Sequence, residues 1–168
     1  MKDMESQMDE LMEIAEFIKH FNIHYSLLVK RYKRFLEVNK VPTADLDTIT
    51  YMDMIVVQIR ALCIENQKLK NNYTAQILLR KIGEEGLADR IDAMLDTEFL
   101  EGSTGFTISK AIKTLADGFI CHYDNFDSDG LALASIIEKQ LRNPYAKINL
   151  EFIMKCLLEC IGLGFQTK

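Results

Sequence analysis

Proline and glycine are scarce in this chain. Pro42 and Pro144 are the only prolines, and eight glycines are spread over 168 residues. So few chain-breakers argue against a fold of many short strands and tight turns, and they leave room for long helices. No apolar run approaches the roughly 20 residues needed to cross a bilayer, so no membrane partner is expected. The opening Met1-Lys2-Asp3-Met4-Glu5 is polar and acidic, unlike a secretory leader. Four cysteines (Cys63, Cys121, Cys156, Cys160) sit inside apolar segments, as reduced core thiols do, which points to a cytoplasmic protein. An excess of basic charge is also missing, since 20 Lys and Arg face 25 Asp and Glu for a net charge of −5. A general nucleic-acid coat protein would be basic, so any contact with RNA must be local. The densest basic cluster, Lys30-Arg31-Tyr32-Lys33-Arg34, reads as a solvated helix face.

What the chain has is helical periodicity. Hydrophobic residues make up 48% of it and charged residues 27%, the balance of a globular domain rather than a disordered one. Met4, Met8, Leu11, Ala15, Ile18, Asn22, Tyr25, Val29, Tyr32 and Leu36 recur in steps of four and three, a heptad-like stripe that Met12, Phe21, Leu28 and Phe35 widen. This predicts one long helix over residues 3–38, bent near Asn22, with part of it free to pack on another chain. Pro42 breaks it. Further helices are expected over 45–64, 73–82 (ended by Gly83) and 85–95, then from Thr107 to about His122, then 130–142 behind an Asp127-Ser128-Asp129 cap. The last helix starts behind Asn149 and finishes near Gly162. Residues 1–168 thus read as a single all-α domain, a bundle of about six to seven helices.

Several constellations carry little chemistry. His20 and His24 share a helical face with Glu16, but Phe21 stands where a zinc-protease motif needs a glutamate, and no metal site is expected. Cys156 and Cys160 lie among Ile153, Leu157, Leu158 and Ile161 and read as core. There is no glycine-rich phosphate loop before a helix and no Gly-x-Ser-x-Gly element, and no cofactor is expected. The candidate that remains is His122, with Asp117 before it and Tyr123, Asp124, Asn125 and Asp127 after it. A histidine at a helix end serves either as a cap or as a proton-transfer group near neutral pH.

The segment Ala116-Asp117-Gly118-Phe119-Ile120-Cys121-His122 resembles the C-terminal motif of HEPN proteins, small helical bundles in which an arginine and a polar residue precede a histidine by a few positions. The abortive-infection branch is the most similar. The resemblance implies a metal-independent endoribonuclease toxin of a toxin–antitoxin or antiviral system, working as a homodimer on an RNA substrate. The ribose 2′-hydroxyl attacks the adjacent phosphate, a histidine moves the protons, and an arginine holds the phosphate. By position His122 is the proton-handling residue and Asp117 the polar neighbour, with Tyr123, Asp124 and Asn125 as supporting residues. Ala116 occupies the arginine's place, so the chain as written is expected to be weak or inactive. Because Asp117 and His122 are retained around it, Ala116 reads as a deliberate replacement of the motif arginine; a natural inactive relative is the competing history. The resemblance also implies a nucleotidyltransferase-type antitoxin that modifies a tyrosine two residues after the histidine. That place holds Asp124 here, and Tyr123 is the neighbouring tyrosine. The alternative function is a non-catalytic helical module that binds a protein or a nucleotide.

Overall fold

The computed structural model describes residues 2–40, 45–65, 74–120 and 127–166. Its elements are α1 (Lys2–Val38), α2 (Asp45–Ile59), α3 (Ala75–Lys81), α4 (Glu85–Leu95), α5 (Ile108–Lys113), α6 (Ser128–Arg142) and α7 (Leu150–Gln166). Two π-helical segments extend this set, Arg60–Ile64 behind α2 and Thr114–Ile120 behind α5. The fold is all-α, and no strand occurs among the described residues.

Local chemistry accounts for most of the boundaries. Asp45 and Asp47 sit in the first turn of α2, where carboxylates complement the positive end of the helix. Gly83 ends α3 at φ +84°, a conformation that costs glycine little, and Glu84 N–H donates back to Leu79 O at 2.8 Å. The Asp127 side chain caps α6 by accepting from Gly130 N–H at 2.9 Å, and Asn149 caps α7 by accepting from Phe152 N–H at 2.9 Å. α1 is one continuous helix through Asn22, and one expectation changes. α7 continues past Gly162 to Gln166, because Gly164 lets it press against Leu79 and Leu87.

One core unites the helices. Phe21, Leu28, Tyr32 and Phe35 of α1 meet Met52, Ile55, Val56 and Ile59 of α2, and α4, α5, α6 and α7 close over Leu78, Ile91, Ile112, Ile137, Ile153 and Leu157. Phe21 also packs on Phe165, with ring centroids 5.6 Å apart, tying α1 to the end of α7. Partly exposed ion pairs fasten the outside: Arg80 bridges to Asp89 and Asp92, Arg90 to Glu159, and Arg142 to Asp45. Such pairs contribute little each but fix which helices are neighbours. No helix is long and apolar enough to cross a membrane among the described residues.

Candidate active site

The site is built on α5 and the π-helical segment behind it. Thr107 starts α5 by accepting from Lys110 N–H through its hydroxyl. The loop before it is latched by Phe99 N–H donating to Phe106 O at 2.8 Å and Ile108 N–H donating to Thr97 O at 2.9 Å. From that anchored start, Ile108, Ala111, Ile112, Leu115 and Ala116 all turn into the core and are fully buried. Asp117 comes next and reaches solvent, with about half its side chain exposed at 47%. His122, Tyr123, Asp124 and Asn125 lie outside the described residues.

Asp117 is held from across the bundle. Arg60, the first residue of the π-helical segment behind α2, makes an ion pair through Nε with Asp117 Oδ1, and its Nη1 reaches Glu65 Oε2 at 2.7 Å. The Arg60 side chain is 26% exposed, so both contacts sit in a half-shielded setting where they count for more than at an open surface. The Asp117 carboxylate first, and Glu65 second, raise Arg60 above its ordinary pKa. Both partners thus belong to π-helical segments, which recur at functional positions because they displace a side chain from the regular helical ladder. Arg60 and Glu65 are absent from the sequence-based candidates. Their signal is faint: Arg60 is the one charge in the apolar run from Ile55 to Ile64.

Ala116 sits on the other side of the same segment. It has no exposed surface and belongs to the continuous core with Ile112 and Leu115. An arginine there would direct its guanidinium into packed aliphatic side chains, where an unpaired charge costs several kcal/mol, or about that much in local rearrangement. The packing therefore suits alanine at 116, and the cation that stands beside Asp117 is Arg60.

The remaining candidates are dispersed. Glu16, His20 and His24 are exposed on α1, and no group of three metal-binding side chains occurs among the described residues. Cys160 is buried and its thiol is pushed up to about 11 by burial; Cys63 is buried as well, and its thiol is pushed up to about 12. Both are inert core groups at neutral pH. Beside α5 lies an open cavity of about 350 Å³ between Ile64, Gln76, Asp92, Asp96, Ser109 and Lys113. Gln76 spans it, donating to Cys63 O at 2.9 Å and to Asp92 Oδ1 at 3.0 Å. With two carboxylates against one lysine, this cavity is poorly suited to a phosphate. Lys30, Lys33 and Arg34 of the basic cluster are exposed, and Arg34 pairs with Glu37 at 2.7 Å, as a solvated helix face would.

No family model, characterised protein or solved structure matches this chain.

Proposed function

We propose that this chain is a HEPN-type endoribonuclease domain of the toxin class, acting as a homodimer on RNA in the cytoplasm and impaired as it stands. The all-α bundle is compatible with that reading. The observation that carries it is the Arg60–Asp117 ion pair, which fixes the motif carboxylate at the solvent edge of the segment leading to His122 and brings a guanidinium to it. In this reading His122 takes the proton of a ribose 2′-hydroxyl. The 2′-oxygen attacks the adjacent phosphorus, the bond from phosphorus to the 5′-oxygen breaks, and that oxygen takes its proton from solvent water, giving a 2′,3′-cyclic phosphate and a free 5′-hydroxyl. DNA has no 2′-hydroxyl and is not cut. Arg60 is the phosphate-holding cation. It is already engaged by two carboxylates, so a phosphate must displace one of them, and that competition impairs the reaction. A neutralising antitoxin of the nucleotidyltransferase class belongs to the same proposal.

The test is cleavage of end-labelled RNA in excess chelator by the chain and three variants. The chain cuts slowly. Glu65→Gln frees one edge of Arg60 and cuts faster; His122→Ala, alone or added to Glu65→Gln, abolishes cutting. No cleavage by Glu65→Gln, or cleavage that survives His122→Ala, overturns the proposal. A second reading, a helical module that works by binding a protein, is favoured by one observation: the first half of α1 exposes Met8, Leu11 and Met12.

A further inference from the structure

α1 uses only one face to hold the bundle. Phe21, Leu28, Tyr32, Phe35 and Val38 are its buried residues, and every described side chain before Phe21 is at least partly exposed. On the opposite face Met8, Met12, Glu16, Lys19, Ile23, Leu27 and Lys30 follow one another in steps of four and three, and all of them are exposed. Met8 is 59%, Met12 67% and Ile23 53% exposed, values unusual for large apolar side chains that follow one line along a helix.

The order of chemistry along this line is the same read from either side of its centre, which falls between Glu16 and Lys19. Moving outward, Met12 answers Ile23, and Met8 answers Leu27. Net charge is divided about the same point. Asp3, Glu5, Asp9, Glu10, Glu13 and Glu16 precede it with Lys2 as the only base, whereas Lys19, Lys30, Arg31, Lys33 and Arg34 follow it with Glu37 as the only acid. A parallel copy would set acid on acid. An antiparallel copy sets the acidic half of each helix along the basic half of the other, with Glu16 opposite Lys19 and the apolar pairs flanking them.

We propose that this face of α1 is a docking surface for a second copy of the chain, bound antiparallel about a two-fold axis between Glu16 and Lys19. Such an interface is isologous and closes on itself. The strip from Met8 to Lys30 is about 34 Å long at about 1.5 Å per residue. A strip one helix wide buries on the order of 1,000 Å² in total, the lower edge for a specific interface, so the dimer is a weak one in the micromolar range. The Thr114–Ile120 segment packs on α2, α5 and α6 rather than on this face, so the inference stands whether or not the chain cuts RNA.

Sedimentation of the full chain from low micromolar to several hundred micromolar tests it. The chain passes from monomer to dimer over that range. Met12→Glu and Ile23→Glu each weaken the dimer by at least about tenfold, while circular dichroism shows unchanged helix content. Glu16→Lys and Lys19→Glu each weaken it, and the two together restore it. Under mild oxidation, the chain carrying both Met12→Cys and Ile23→Cys forms a disulfide-linked dimer, and the chain carrying Met12→Cys alone does not. A monomer throughout, a dimer indifferent to Met12→Glu, or cross-linking by Met12→Cys alone overturns the proposal.

Discussion

Replacing Ala116 by arginine tests how the candidate site is built. Ala116 is fully buried among Ile112, Leu115 and the rest of the core. The added stem must enter the packed core around Ile112 and Leu115, and overpacking a closed core costs about 1–3 kcal/mol. The guanidinium then lies in aliphatic surroundings, at an effective cost of several kcal/mol more. Asp117 does not rescue it, because adjacent helical residues point to different sides. The total is about 4–6 kcal/mol, a large part of the stability of an ordinary domain. For a chain of this length it corresponds to a fall in Tm of about 10–20 °C. Thermal unfolding followed by circular dichroism on the wild type and Ala116→Arg measures it, with Ala116→Gly as a control for backbone effects. A variant that melts with the wild type would refute the reasoning. It would mean that position 116 can turn its side chain outward, and it would return the phosphate-holding role to that position.

Other substitutions probe the scaffold. Burial, with Glu138 adding to it, pushes the Asp53 carboxyl up to about 6 from 3.8. A raised acid is protonated in the fold, so its contribution is intact below about pH 4 and is lost as pH rises through 6. The full shift corresponds to about 3 kcal/mol. Asp53 is only partly buried, and solvent screening reduces this to about 1–2 kcal/mol. Urea unfolding should therefore find Asp53→Asn more stable than wild type by that amount at pH 8 and equal to it at pH 4; equality at both values contradicts the assignment. Gly164→Ala places a Cβ on Leu79 Cδ2 and 3.5 Å from Leu87 Cδ1. Helix propensity alone favours alanine by about 1 kcal/mol, but the overlap outweighs it, and a net loss of about 1 kcal/mol is expected by chemical denaturation; a stabilised variant would show that Leu79 yields freely. Asp127→Ala removes the α6 cap and should cost about 1 kcal/mol in the same assay. No change there would mean that solvent serves the first turn of α6 equally well.

Much of the fold is legible in the sequence because its signals are local. The step pattern of α1, the caps at Asp127 and Asn149 and the glycine after Ile82 each act within one or two turns, and the helices start and stop close to where those residues place them. Asn22 leaves α1 continuous, since a single polar residue on an exposed face leaves the backbone ladder intact. The early stop at Gly162 fails because tertiary packing at Gly164 overrides glycine's poor helix propensity. The site was legible only in part. Asp117 stands out by type, but nothing nearby in sequence says that its partner is Arg60, since that pairing depends on how α2 and α5 cross. The π-helical segments were hidden too: Ala111, Ile112, Leu115 and Ala116 recur at a spacing that an α-helix satisfies equally well. The same spacing concealed that Ala116 faces inward while Asp117 faces out.

The most direct test of the central claim is the end chemistry of RNA treated with purified Glu65→Gln protein in excess chelator, with Glu65→Gln/His122→Ala beside it. The account predicts fragments ending in 2′,3′-cyclic phosphate and 5′-hydroxyl from the first protein and intact RNA from the second. Intact RNA from both, or identical fragments from both, would contradict it.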